Sequence, residues 1–364
     1  MASSVGPSSE ARPLGRPRAD AKTVKVGDLQ SAAVPTKFVW GKIDGVGSSL
    51  GKYTVMTQEV PWNLVKDRIG GEPVSVNLVS SLEREDLDAL VKKTPKVDAV
   101  VGIGGGVSID SAKYFAWKRR CAAIFVPTIL SVNAYATPAA AVRKKGVVNY
   151  LGDVIPERTI IDYRSIQSAP KRLNTSGTGD IYSCKTALSD WELSHRATGE
   201  AWDAKAAAGS RRLLRTLVDR SAEVKKVSEE GIKTLVKLHV QTNTLQLMAG
   251  SPRPEEGSEH VYFYSLEEVT GRGFLHGEVV GTGIYVIRHF QAGDEEETGK
   301  TMDGFGLLYR PGDYGITKEE FTKTLLHMKK YASYKAYKAK LPYTVLDTVN
   351  ITEADAAALW AKLS

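Results

Sequence analysis

The chain has 364 residues, 42% of them apolar and 25% charged, with 49 Lys and Arg against 42 Asp and Glu for a formal charge of +7. Single cores stop growing at ~250–300 residues, so two domains are expected, and the composition excludes a disordered or collagen-like chain. Cys121 and Cys184 alone exclude a disulfide framework, and no apolar run approaches the ~20 residues needed to span a bilayer, so a cytoplasmic protein with no membrane partner is expected.

Residues 1–35 are rich in Ser, Pro, Ala and Arg with almost no apolar periodicity, and are expected to be a disordered leader. Their basic, acid-poor character also permits a cleaved organellar transit peptide, while the lack of an apolar h-region speaks against secretion. From Phe38 to about Asp162, short β-branched runs alternate with helical stretches, the pattern of βαβ units in a parallel sheet. This predicts a Rossmann-like α/β dinucleotide-binding domain over 36–165, with strands at Tyr53–Met56, Val74–Val79, Ala99–Ile103, Ala123–Val126, Val147–Tyr150 and Thr159–Ile161. From about Ala169 the strand signals stop, predicting an all-α metal- and substrate-binding domain over 166–364. Its helices are expected at Asp180–Thr198, Ala201–Arg220, Ser228–Ala249, Ser258–Thr270, His276–Gln291, Lys318–Lys340 and Glu353–Leu363. In the stretch from Lys323 to Lys340, Lys329, Lys330, Lys335, Lys338 and Lys340 interleave with Tyr331, Tyr334 and Tyr337. The expected arrangement is tyrosines inward and lysines in water, with no nucleic-acid partner.

The run from Val100 to Lys113 passes an apolar strand into Gly104-Gly105-Gly106 and then at once into a helix containing Ser108, Asp110 and Lys113. Unpaired N–H groups and the positive dipole end of such a helix suit a pyrophosphate, and glycine lets phosphate approach the backbone. Gly104, Gly105, Gly106 and Ser108 are therefore expected to bind a dinucleotide, with Lys113 neutralising phosphate and Asp110 serving the helix start. A second strand leaves through Pro127 into a loop where Thr128 and Ser131 offer hydroxyls to a nicotinamide and Asn133 both a donor and an acceptor to a substrate hydroxyl. Pro127 and Asn133 are equally suited to shaping a turn.

Among six histidines, His260 in Gly257-Ser258-Glu259-His260 and His276 in Leu275-His276-Gly277-Glu278 sit at glycine-marked helix openings, as does Asp180 in Gly177-Thr178-Gly179-Asp180. Two imidazoles and a carboxylate suit a divalent ion with an open coordination position. Taken singly, Asp180 is also a candidate helix cap and each histidine a candidate surface or core residue.

The glycine stretch, Val126-Pro127-Thr128, Gly177 to Asp180, Gly257 to His260 and Leu275 to Glu278 follow the order seen in the iron-containing alcohol dehydrogenase and dehydroquinate synthase-like superfamily. From about Val39 onward the chain resembles that superfamily. Asp190-Trp191-Glu192-Leu193 and Tyr343-Thr344-Val345-Leu346 look most like its sn-glycerol-1-phosphate dehydrogenase branch. The resemblance implies that Asp180, His260 and His276 ligate one divalent metal, zinc ahead of iron or nickel. It implies that Gly104–Gly106 hold the pyrophosphate, with Thr128 and Ser131 near the nicotinamide. The implied reaction is metal-dependent hydride transfer between NAD or NADP and a small ketone or polyol, with dihydroxyacetone phosphate and glycerol 1-phosphate the leading pair and Asn133 orienting the substrate. Dehydrogenation of an unphosphorylated polyol is the alternative. A cyclising synthase is a weaker one, because its first ligand is typically glutamate where this chain has Asp180.

The family's habit of oligomerising extends to this chain as an expectation. Three positions depart from the pattern: Asn133 where aspartate is common, Tyr264 where a second histidine often follows, and Cys184 where the branch often has a polar or basic residue. On one helix face with Asp180, Cys184 is a candidate thiolate ligand, or simply a small buried residue. Val55-Met56-Thr57-Gln58 lacks the carboxylate that selects NAD through the ribose 2′-hydroxyl, which leaves NADP open.

Overall fold

The computed structural model describes residues 37–144 and 147–364, together with two short strands, β1 (Val24–Val26) and β2 (Leu29–Ser31). These two pair antiparallel; the rest of residues 1–35, where a leader was expected, lies outside the described residues. The chain forms two compact units, one ending at Pro170 and the other beginning at Lys171.

In the first unit the strands are β3 (Phe38–Gly41), β4 (Tyr53–Thr57), β5 (Ser75–Leu78), β6 (Ala99–Gly104), β7 (Ala122–Pro127), β8 (Ala139–Lys144), β9 (Val147–Asp153) and β10 (Arg158–Asp162). Six of them form one sheet in the order β3-β10-β7-β6-β4-β5, every neighbouring pair parallel. Helices α1 (Glu59–Ile69), α2 (Arg84–Lys93), α3 (Gly106–Arg119) and α4 (Tyr163–Ser168) belong to the same unit. Strands β4 and β6 are buried along their whole length, which fits the near-continuous apolar run of β6; in β4, Thr54 and Thr57 are buried with their hydroxyls hydrogen-bonded. Val55, Val101, Ile103, Ile124, Val126 and Ile160 from the sheet pack with Val65 and Ile69 of α1 in one core cluster.

The expectation for Val147–Tyr150 as a strand of the parallel sheet is corrected: β9 pairs antiparallel with β8, outside that sheet. Strands this close in sequence close as a hairpin, since a parallel pair needs a crossover of a dozen or more residues. Neither β3 nor β8 was expected; β3 is a four-residue edge strand and β8 is rich in alanine, both weak signals on their own.

The second unit contains α5 (Lys171–Thr175), α6 (Thr178–Tyr182), α7 (Cys184–Thr198), α8 (Ala204–Asp219), α9 (Ser221–Lys226), α10 (Glu229–Ala249), α11 (Ser258–Thr270), α12 (His276–Gln291), α13 (Glu295–Gly304), α14 (Lys318–Ala332), α15 (Lys335–Lys340) and α16 (Glu353–Leu363). Two expected helices are broken. At Ser183, between α6 and α7, the hydroxyl donates to the carbonyls of Asp180 at 2.6 Å and Glu255 at 2.7 Å; at Ser333, between α14 and α15, it donates to Lys330 at 2.7 Å. Serine hydroxyls that bond nearby carbonyls offer the backbone an alternative to the helical ladder. Around the second break Tyr337 is buried, while Lys329, Lys330, Lys335 and Lys340 stay exposed. Among the described residues no helix is long and apolar enough to cross a membrane.

Candidate active site

The candidate cofactor site, within the first unit, is a glycine turn at the carboxyl end of the sheet. Strand β5 lies on one side of β4 and β6 on the other, so the strand order reverses between β4 and β6, the place where open α/β sheets leave a ligand crevice. Strand β6 leaves the sheet through Gly104, whose φ of +140° is a conformation reserved for glycine. A Cβ on Gly104 would lie 2.6 Å from Ser108 Oγ, one on Gly105 2.8 Å from Ile129 Cδ1, and one on Gly106 3.0 Å from Val132 Cγ2. The loop after β7 thus closes directly over the turn, bringing Ser131 alongside Gly105. The Thr128 N–H donates to Gly104 O at 3.1 Å, locking the ends of β6 and β7 together. Ser108 Oγ is buried without a hydrogen-bond partner, the condition of a group awaiting a ligand oxygen. A dinucleotide phosphate fits this cradle of bare backbone, helix N-terminus and orphaned hydroxyl.

Two residues expected here have other partners. Lys113 is fully buried, and its ammonium donates to Asp110 Oδ1 at 2.9 Å, Thr137 Oγ1 at 3.1 Å and Ala139 O at 3.0 Å. Asp110 also accepts from Ala141 N at 3.2 Å. The three lysine donors are therefore taken by Asp110 on α3 itself, by Thr137 just before β8 and by Ala139 at its start, while the Ala141 N–H bond to Asp110 also ties β8 to α3. Burial lowers the Lys113 pKa and raises that of Asp110, each opposed by the partner's charge. Half-buried Asn133 precedes the short 3-10 turn Ala134–Ala136, and its carbonyl accepts from Ala136 N at 2.8 Å; it shapes this turn.

The candidate metal site, within the second unit, is built by three glycine notches. A Cβ on Gly179 would meet Gly277 O at 2.2 Å, one on Gly277 would meet Ser176 O at 1.8 Å, and one on Gly283 would meet Glu259 O at 2.3 Å. Only glycine lets the turn bearing Asp180, the start of α12 bearing His276 and the start of α11 bearing His260 touch backbone to backbone. As a result, one ligand atom from each of Asp180, His260 and His276 lies within 4.8 Å of the other two. The His276 Nε2 to Asp180 Oδ1 distance is 3.1 Å, yet that buried oxygen has no partner in hydrogen-bond geometry. An orphaned carboxylate oxygen facing two imidazoles is a donor set for a divalent cation. Asp180 and His260 are nearly enclosed, while the His276 side chain is 25% exposed, which leaves one side of the cluster open.

The surroundings orient these donors. His260 Nδ1 lies 2.7 Å from Glu259 Oε1, so Nδ1 carries the donated proton and Nε2 is left for a metal. Burial disfavours the charged His260 ring, but the Glu259 hydrogen bond and the charges of Glu259, Glu256 and Asp180 carry its pKa up to about 9. Burial likewise raises the Asp180 pKa, and the three nearby histidines, His276 first, outweigh it to leave a net lowering. His239, buried on α10, donates from Nε2 to Gly177 O at 3.0 Å and steadies the Asp180 turn. Arg172 grips Glu278 through two 2.6 Å bonds and so anchors the first turn of α12. Sequence reasoning missed these supports: Glu259 stood beside a named ligand and was readable as its partner, but His239 and Arg172 carried no local signal.

Cys184 begins a new helix after the Ser183 break and lies outside the cluster. It is fully buried, and burial together with nearby Glu255 and Glu259 pushes its thiol well above the ordinary range. It is not a thiolate ligand. Tyr264 stacks on Tyr331 with ring centroids 5.5 Å apart and stands 6.4 Å from the His260 ring.

Residues 50–170 match the family described as iron-containing alcohol dehydrogenase. A glycerol-1-phosphate dehydrogenase [NAD(P)+] of Thermoplasma acidophilum is 30% identical over 268 residues, which is 72% of this chain and 76% of the relative. The like-named protein of Natronomonas pharaonis is 29% identical over 81% of this chain and 85% of its own length. In fold, a probable glycerol dehydrogenase from Sinorhizobium meliloti (TM-score 0.67, 20% identity) covers 90% of this chain and 96% of its own. Butanol dehydrogenase A from Thermotoga maritima (TM-score 0.66, 17% identity) covers 91% and 97%. The architecture and sequence together define an oxidoreductase of the alcohol dehydrogenase class. The chain belongs to the iron-containing alcohol dehydrogenase family, on the branch that carries the glycerol-1-phosphate dehydrogenases.

Proposed function

We propose that this chain transfers hydride between NAD(P)H and a small ketone, with dihydroxyacetone phosphate and glycerol 1-phosphate as the leading substrate pair. The observation that carries the reading is the convergence of Asp180, His260 and His276, in a chain 30% identical to a glycerol-1-phosphate dehydrogenase. A divalent ion held by these residues supplies a Lewis acid that polarises a carbonyl and lowers the pKa of an alcohol; the His-His-carboxylate set is one that both zinc and ferrous iron use, and zinc is taken ahead of iron or nickel. Asp180 balances part of the cation's charge, and Glu259 fixes the His260 tautomer. Gly104–Gly106 and Ser108 bind the pyrophosphate, Thr128 and Ser131 hold the nicotinamide side, and Asn133 orients the substrate. Thr57 and Gln58 at the end of β4 carry no carboxylate, but Glu59 opens α1 directly after them, and the cofactor is taken as NAD or NADP.

One observation favours the second reading, an unphosphorylated polyol. Glu256 lies close enough to His260 for its negative charge to act on that ring's ionisation, and such charge disfavours a phosphate ester. Initial rates with NADH and NADPH over dihydroxyacetone phosphate and dihydroxyacetone, beside metal analysis of the purified protein, separate the two. The phosphorylated ketone is expected to be reduced faster, with turnover abolished by a chelator and restored by Zn²⁺. Chelator-insensitive turnover, or none with any small ketone, would overturn the proposal.

A further inference from the structure

Helix α11 carries His260 in its first turn, yet its N-cap is Gly257, which has no side chain to satisfy the unpaired N–H groups there. The cap comes from another helix. Asp190 Oδ2 on α7 accepts from Ser258 N at 2.7 Å and Ser258 Oγ at 2.6 Å. Four residues earlier on the same face of α7, Thr186 Oγ1 donates at 2.6 Å to Glu259 Oε2, while Glu259 Oε1 takes Gly257 N at 2.6 Å and His260 Nδ1 at 2.7 Å. The close approach this needs is built in: a Cβ on Gly257 would meet Ala187 Cα at 2.8 Å and Asp190 Oδ2 at 3.1 Å. The other Asp190 oxygen accepts from Gln291 Nε2 at 2.9 Å, at the end of α12, and from Val345 N at 3.0 Å. Asp190 is completely buried, and these four hydrogen bonds join α7, α11, α12 and the Tyr343–Leu346 segment. Arg253, also fully buried, holds the same segment by donating to Tyr343 O at 2.8 Å.

We infer that Asp190 is a positioning residue of the metal centre, capping α11 from outside so that Ser258, Glu259 and His260 are presented in fixed register. This rests on the metal reading of Asp180, His260 and His276. It also gives a physical role to Asp190-Trp191-Glu192-Leu193 and Tyr343-Thr344-Val345-Leu346, which meet where Val345 N donates to Asp190 Oδ1. Asparagine at 190 would set an N–H₂ group against donors on one side or the other, leaving two of the four without an acceptor.

The test is Zn²⁺ affinity of the full chain by chelator competition, together with the visible spectrum of the Co²⁺-substituted protein, in Asp190→Asn and Ser258→Ala. Losing a group that orients a metal ligand typically costs about 10–100-fold in metal affinity, and Asp190→Asn is expected to fall in that range with a weakened Co²⁺ band. Ser258→Ala keeps the backbone contact and loses one hydrogen bond, so about a two- to tenfold loss is expected; it decides the matter if Asp190→Asn does not fold. Leu359→Ala on α16, which opens a cavity in the same unit outside the network, controls for general destabilisation and is expected to lower Tm with unchanged Zn²⁺ affinity. Variants at 190 and 258 that bind Zn²⁺ as the parent does, or a Leu359→Ala that loosens it equally, would overturn the inference. A parent chain that binds no Zn²⁺ would instead sink the metal reading beneath it.

Discussion

At the scale of single residues, burial separates the candidates that serve a ligand from those that serve the fold. Ser108 Oγ and Asp180 Oδ1 are enclosed and unpartnered, whereas the Lys113 ammonium is enclosed and saturated. Removing one member of a buried ion pair typically costs ~3–5 kcal/mol because the other is left uncompensated. Lys113→Ala is therefore expected to lower stability by about that amount in urea unfolding, with much of the loss recovered in Asp110→Asn/Lys113→Met. NAD(P)H affinity of the folded protein should be unchanged, as read by quenching of tryptophan fluorescence. Loss of cofactor affinity in the double variant would return Lys113 to the phosphate. The sequence makes the candidate metal ligands legible through the glycines beside them, since Gly179, Gly257 and Gly277 sit where neighbouring backbones approach closely. It does not make Lys113 legible, because Thr137 and Ala139, which take two of its donors, lie more than a helix away in sequence with no motif to mark them.

At the scale of elements, the bounds of α11, α12 and α16 were readable to the residue, although only α16 carries its own side-chain cap and α11 is capped from α7. The interior helix breaks were not. The short α6 stops at a serine that reaches Glu255, 72 residues away, and α13 was missed because it opens on Glu295-Glu296-Glu297 with little apolar periodicity. That acidic start has a tertiary purpose: Glu295 meets Lys362 of α16 at 2.7 Å and His289 of α12 at 3.0 Å. Burial opposes its ionisation, but these partners hold its pKa down to about 2 from an ordinary value of 4.5. A carboxylate depressed in this way stabilises the fold fully above pH 4.5 and loses that contribution as the pH falls towards 2. Tm is expected to drop across this acid window, and Glu295→Gln should start lower at neutral pH and show a shallower drop. An unchanged slope in the variant would mean that other carboxylates govern acid unfolding.

At the scale of the whole molecule, the alternation of β-branched runs up to Asp162 and their absence afterwards made the change from α/β to helical structure readable. The order of the strands was not, because periodicity reports which faces are buried and says nothing about which neighbour a strand pairs with. The division has a functional consequence. Gly104, Gly105, Gly106, Ser108, Thr128 and Ser131 all belong to the unit ending at Pro170, and Asp180, His260 and His276 to the unit beginning at Lys171. Each half-site is assembled by contacts inside its own unit: the cradle by the closure of the 129–132 loop over the glycines, the metal cluster by the contacts at Gly179, Gly277 and Gly283. Cofactor binding and metal binding should therefore be separable by mutation. Gly105→Val, whose side chain would enter the space of Ile129, is expected to weaken NAD(P)H binding by about tenfold or more, equivalent to ~1.4 kcal/mol or more, while retaining one equivalent of Zn²⁺. Asp180→Ala is expected to lose the metal and still bind NAD(P)H. Calorimetric titration of each variant with cofactor and with Zn²⁺ reads both quantities. Loss of both ligands in either variant, with the fold intact by circular dichroism, would show that the two half-sites form only together.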